Sequence, residues 1–128
     1  MRKLAVQTYN GIEVFLDADS ATLYAAGVPL KLERAGTIYS AASSRYILVA
    51  CLVSIGATIF WFTDINVAVF DTTAKTWTMY QNFAHEGRIN DAKFALPNIQ
   101  WTVDFHAHTR QRTFDPATGA MGAINDIV

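Results

Sequence analysis

Charge is scarce in this chain. Only 16% of its 128 residues are Asp, Glu, Lys or Arg, against about 25% in typical soluble domains. Ten Lys and Arg nearly balance eleven Asp and Glu, for a net charge of −1. Such a balance excludes bulk electrostatic attraction to nucleic acid. The basic residues stand singly except for Arg2-Lys3 and the pair Arg110 and Arg112, and neither makes a basic stripe. A domain of this size has a large surface to cover. The shortage of charge therefore points to apolar surface buried against other chains.

Cysteine is nearly absent too. Cys51 is the only one, so no intrachain disulfide can form, and its apolar surroundings make it a small core hydrophobe. Polar Gln7, Thr8 and Asn10 follow Met1-Arg2-Lys3-Leu4 at once, so no secretory signal peptide is expected and a soluble protein is. The sequence contains no G-x-S-x-G, no P-loop and no G-x-G-x-x-G. Asp17 with Asp19 resembles a fragment of a calcium loop but lacks the bidentate Glu that should follow. No catalytic residue and no cofactor is assigned on these grounds.

No segment sustains a 3.6-residue hydrophobic period, so long helices are not expected. Short strand-type segments separated by turn signals recur instead. Leu4 to Thr8 and Ile12 to Leu16 flank Asn10-Gly11, the strongest short hairpin signal. Further strands are expected at Thr22 to Ala25, around Leu30 and Leu32, and at Thr37 to Ser40. Others are expected at Tyr46 to Val53, Thr58 to Thr63, Val67 to Phe70 and Thr76 to Gln81. Ile99 to His106, Arg110 to Phe114 and Ala120 to Ile124 complete the set. The fold class is therefore all-β: residues 1–128 form a single domain of short antiparallel strands in a sandwich, a barrel or propeller-like sheets.

Tyr46 to Thr63 carries no charge over 18 residues, barely the length of a membrane span. Ser54-Ile55-Gly56-Ala57 interrupts it, and β-branched and aromatic residues crowd both halves. A buried hairpin is expected there rather than a transmembrane segment.

Three segments repeat a pattern. Leu16-Asp17 precedes Leu23, Phe70-Asp71 precedes Trp77, and Phe114-Asp115 precedes Met121, with five small or polar residues inside each. An Asp that accepts bonds from backbone N–H groups just downstream starts a turn, so Asp17, Asp71 and Asp115 are expected at hairpin corners. Pro116 presets φ and Gly119 supplies a positive one. The middle copy resembles a blade of the Kelch family of β-propellers, in which six residues separate an aromatic from a Trp. The paired glycines of that family are missing, and the third copy has Met121 in place of Trp. The resemblance covers about a third of the chain. It implies blade-like sheets, and a closed propeller would need several chains.

Asp104, His106 and His108 alternate, and on one strand they would share a face and could hold a metal. H-x-H resembles the first cupin motif, but Arg112 stands where its Glu should be and Arg110 lies between. The bland reading, a solvated strand face with no metal, is preferred. His85-Glu86 could add a ligand only if the fold brought it close. Trp61, Trp77 and Trp101 could stack a glycan but alternate with apolar neighbours, as core residues do.

Asn82 to Asn98 reads as a long loop with a short helical turn from Asn90 to Phe94. Phe83, Ile89, Phe94 and Leu96 make it too apolar for a solvated linker. With Arg88 they are the expected assembly contact, Phe83 and Phe94 acting as aromatic anchors covered by neighbouring subunits. The function expected from these features is a non-enzymatic structural subunit, as in a phage virion, with copies of itself or other protein subunits as partners. A propeller-like or lectin-like oligomer and a metal-dependent enzyme built on Asp104, His106 and His108 are the alternatives.

Overall fold

The computed structural model describes residues 1–56, 62–104 and 108–127. Among these residues twelve strands run in sequence: β1 (Lys3–Tyr9), β2 (Ile12–Asp17), β3 (Thr22–Ala25), β4 (Val28–Lys31), β5 (Thr37–Ser43) and β6 (Tyr46–Ile55), then β7 (Phe62–Asp71), β8 (Thr76–Glu86), β9 (Ile89–Ala95), β10 (Asn98–Val103), β11 (His108–Thr113) and β12 (Asn125–Asp126). They form three four-stranded sheets, β1-β2-β3-β4, β5-β6-β7-β8 and β9-β10-β11-β12, each joining neighbours in chain order. Every pairing is antiparallel. The fold is thus all-β, and no helix occurs among the described residues.

The sheets stack in chain order, with the second in the middle. One of its faces meets the first sheet: Val14, Leu16, Leu23 and Ala25 pack on Ile47, Val49, Cys51, Ala68 and Phe70. Its other face meets the third sheet: Leu48, Ala50, Leu52, Ile65, Val67 and Val69 pack on Ile99, Trp101, Val103 and Phe114. A strand covered on both faces must be apolar at successive positions. That requirement explains the uncharged run, since Ile47 to Leu52 are all buried. A hairpin forms here, but not within Tyr46 to Thr63: β6 runs on through Ser54 and Ile55, expected in the turn, and pairs with Phe62–Asp71 from Tyr46↔Asp71 to Ile55↔Phe62. The segment expected as two strands, Thr58 to Thr63 and Val67 to Phe70, is one strand from Phe62 onward; 57–61 lie outside the described residues.

The two end sheets alternate. In β10, Ile99, Trp101 and Val103 face the middle sheet, while Gln100 and Thr102 face outward beside Lys93, Asp91, Gln111 and Thr109. On the outer face of the first sheet Lys3 lies over the Phe15 ring, which also stacks on Tyr24. Both ends of the stack are therefore polar or capped.

All three Asp corners share one geometry. Asp17 Oδ1 accepts the Asp19 N–H at 3.0 Å, Asp71 Oδ1 the Thr73 N–H at 2.9 Å, and Asp115 Oδ1 the Ala117 N–H at 3.0 Å. Four residues after each Asp the backbone turns left-handed, at Ala21 (φ 52°), Lys75 (φ 59°) and Gly119 (φ 76°). Each corner is also tied to the residue before the strand paired with the one that leads into it: the N–H groups of Ala18 and Thr72, just after the Asp, and of Phe114, just before it, donate to the Arg2, Arg45 and Pro97 carbonyls, each at 2.9 Å. By this criterion β1, β6 and β10 are equivalent. The first sheet therefore lacks a counterpart of β5 and β9 and carries β4 as an addition on its other edge.

Candidate functional site

Strand lengths decide where this molecule is open. The four residues of β4 span about 13 Å and the eleven of β8 about 35 Å. The first sheet therefore leaves part of the middle sheet's face uncovered beside β4. Beyond Cys51 the face turned toward it carries Val53 and Ile55 from β6, Phe62, Asp64 and Asn66 from β7, and Met79, Gln81 and His85 from β8. The segment after β4 runs partly across this gap, with Leu32 buried in the adjoining core and Glu33 and Arg34 exposed. A cleft of about 420 Å³ remains between Leu30 to Arg34 and the uncovered face.

Asp64 is the charged group of this cleft that lies deepest. It is 8% exposed. Its Oδ1 pairs with His85 Nδ1, and the His85 ring stacks on Phe62 with centroids 5.0 Å apart. Asn66 is held in place because its Oδ1 accepts the Asn82 backbone N–H at 2.8 Å. Cys51 forms part of the floor, and burial pushes its thiol up to about 11. A floor of Leu32, Val53, Met79 and Cys51 beside an ionisable, deeply set carboxylate has the make-up of a small-ligand site.

Asn82 also overturns one expectation. With φ at 55° it forms a bulge in β8, opposite the register shift between Ile65 and Val67. The strand continues to Glu86, and β9 occupies Ile89–Ala95, so the expected loop and its helical turn are two strands. The bulge directs Phe83 into the core shared with the third sheet, edge-on to Trp101 and Phe114. Phe83 is 0% and Ile89 7% exposed within the single chain, so Phe83 is not the aromatic anchor and Ile89 not the assembly contact expected of it. Phe94 and Leu96 are half-buried against the same core. Leu96 also lines a shallow groove of about 730 Å³ with Pro97, Phe114, Pro116 and Met121. Arg88 is exposed and lies 3.8 Å from Asp104.

The expected alternation of Asp104, His106 and His108 on one strand does not form. β10 ends at Val103, which pairs with His108, the first residue of β11, and Asp104 lies in a turn just past the end of β10. His106 lies outside the described residues. Asp104 accepts the Asn90 amide at 3.1 Å. His85 pairs with Asp64, and Glu86 accepts Trp101 Nε1 at 2.6 Å and Arg110 Nη1. Among the described residues no group of three His, Cys, Asp or Glu could hold a metal ion. The two described tryptophans are engaged within the chain. Trp101 is buried, and Trp77 Nε1 donates to the Val28 carbonyl at 2.9 Å; Trp61 is outside the described residues.

Comparison of the chain with protein-family models, with curated proteins and with solved structures finds no match.

Proposed function

We propose that this chain is a non-enzymatic subunit of a larger protein assembly, with a phage virion as the concrete case, and that it docks through the far end of its middle sheet. One observation carries the reading. Ile55 and Phe62 form the last rung of the β6–β7 ladder among the described residues, and they are 40% and 43% exposed. Large apolar side chains paired at a sheet end leave water only when another surface covers them. The scarcity of charge, 16% of the chain, supports the same reading. The polar outer face of the third sheet argues that contact is not made by stacking blades end to end.

The test is the mass in solution, by light scattering after gel filtration. A multimer is expected for the parent, and a smaller species for the double variant Ile55→Ser, Phe62→Ser with an unchanged circular dichroism spectrum. A parent that stays a monodisperse monomer at high concentration overturns the reading.

A further inference from the structure

We propose that the near half of β8 is a docking edge that takes the same edge of a second copy of this chain, joining two middle sheets into one antiparallel sheet. This surface is not the sheet end of the assembly reading, and the proposal does not rest on that reading.

The edge strands are not equally guarded. An edge strand turns the N–H and C=O of every second residue outward, and chains blunt such edges with charge, proline, bulges or brevity. β4 carries Pro29 and Lys31, and β9 carries Asp91 and Lys93. β1 has Lys3 and a bulge between Leu4 and Gln7, and β12 is two residues long. β8 closes the middle sheet and pairs only with β7. From Thr76 to Ala84 it has no charge and no proline. Its pairing is unbroken from Asp71↔Thr76 to Val67↔Tyr80, so this stretch is regular. Beyond Asn82 the edge is capped from within the chain, since Arg112 Nη1 donates to the Phe83 carbonyl at 2.6 Å. Among the described residues no such cap reaches the backbone of Thr76 to Tyr80.

β5, at the opposite edge of the same sheet, also lacks charge. It stands where the three sheets converge. Its Cα atoms come within 8 Å of those of β1 and of β9, and the Tyr9 hydroxyl lies 2.8 Å from Ser40 Oγ. Facing sheets ordinarily stand about 10 Å apart, so a strand added beside β5 is hemmed in on both sides. β8 makes its close backbone contacts with β7 instead.

A row of outward N–H and C=O groups is satisfied by an extended strand, and self-complementarity selects a second copy. A twofold axis at Thr78, the middle of the regular stretch, makes the two strands antiparallel. It sets Thr78 opposite Thr78, Trp77 opposite Met79 and Thr76 opposite Tyr80 of the second copy. No like charges meet, and paired hydroxyls and paired large apolar side chains are favourable. Trp77 and Met79 share the face that packs on the first sheet, and each is half-buried, so both have surface left to cover. Trp77 is already oriented, because its Nε1 donates to the Val28 carbonyl at 2.9 Å. Such preorganisation lowers the cost of association.

Light scattering after gel filtration tests this, on the parent and on the Ile55→Ser, Phe62→Ser variant, which removes the sheet end. At about 100 µM that variant should have the mass of two chains. Thr78 is exposed, so Thr78→Lys and Thr78→Glu in the same background should keep the circular dichroism spectrum. Each sets like charges opposite one another at the axis and should weaken association at least about tenfold. Mixed in equal amounts, the two should recover it, because Lys then faces Glu. Hydrogen exchange of the parent should be slower at N–H groups within Thr76 to Tyr80 in concentrated than in dilute solution. A mass of one chain for the Ile55→Ser, Phe62→Ser variant overturns the proposal. So does association that neither Thr78 variant weakens, or a mixture that fails to restore it. Should a Thr78 variant unfold, the exchange measurement decides: equal rates at both concentrations overturn the proposal, and slower exchange on concentration upholds it. A sheet-end variant with the parent's mass refutes only the assembly reading.

Discussion

Asn66 on β7 holds Asn82 on β8: its Oδ1 accepts the Asn82 backbone N–H at 2.8 Å, across the bulge where Asn82 adopts a φ of 55°. That one bond fixes the side on which Phe83 emerges, and with it the aromatic core of Phe83, Trp101 and Phe114. Asn66→Ala should lower stability by about 1 kcal/mol, the scale of one hydrogen bond at a partly exposed site. Asn82→Gly, which accepts the same φ without strain, should leave stability nearly unchanged. Urea unfolding midpoints of both variants check the pair.

The corners predict opposite outcomes for two glycine exchanges. Lys75 pays for a left-handed φ of 59° that glycine adopts freely, so Lys75→Gly should stabilise by about 0.5–1 kcal/mol. A Cβ on Gly119, at φ 76°, would come 2.3 Å from the Tyr80 ring. Gly119→Ala should therefore lower the thermal midpoint, and equal midpoints for the two variants would refute the shared corner geometry.

Removing the corner carboxylates should also lower the thermal midpoint, in Asp71→Ala and in Asp115→Ala alike. A dependence on pH follows from the bonds they accept. The hydrogen bond from Ser20 holds the Asp17 carboxyl below its usual value of 3.8, and the Ala74 N–H does the same for Asp71. A depressed folded value means that the unfolded chain takes up protons first. Stability is then complete above about pH 5 and declines as the pH falls through 3.8 and below. Thermal scans from pH 6 to 2 should show that decline, and it should shrink in Asp71→Ala.

Val49 is 0% exposed between the first and middle sheets, and Val49→Asp places an unpaired carboxylate there. The variant should not fold, which circular dichroism reads directly. Phe60, the companion site in the same uncharged run, is outside the described residues.

Glu86 joins three elements: it accepts Trp101 Nε1 and Arg110 Nη1, while Arg110 Nε lies 2.9 Å from Asp126 on β12. Glu86→Ala strands the Trp101 indole N–H and removes one of two carboxylates on Arg110, and should cost about 2 kcal/mol, with Glu86→Gln closer to the parent. Chemical denaturation of the two variants separates the lost charge from the lost packing.

Much of the fold is legible in the residues, because strand chemistry and turn chemistry act locally. Asn10-Gly11 makes its hairpin with both residues at positive φ, as a type I′ turn requires. The Asp corners stand where the repeated pattern puts them, and the alternation of Ile99, Trp101 and Val103 with Gln100 and Thr102 marks a one-sided sheet. The continuous apolar run from Ile47 to Leu52 likewise announces a strand covered on both faces.

What only the tertiary structure decides is which parts of a face stay uncovered. Asp64 and Asn66 alternate with Thr63, Ile65 and Val67, so the sequence marks β7 as polar on one side beyond Cys51. Nothing local says that the short strands of the first sheet stop short of that side and leave a cleft over it. The bulge at Asn82 shows the same limit. Polar residues around a left-handed Asn read as the start of a loop, yet a side-chain bond from Asn66, 16 residues earlier in the chain, keeps the strand going. Strand identity is set by neighbours along the chain, whereas coverage and side-chain direction depend on contacts between sheets distant in sequence. Local pattern does not encode that second kind of information.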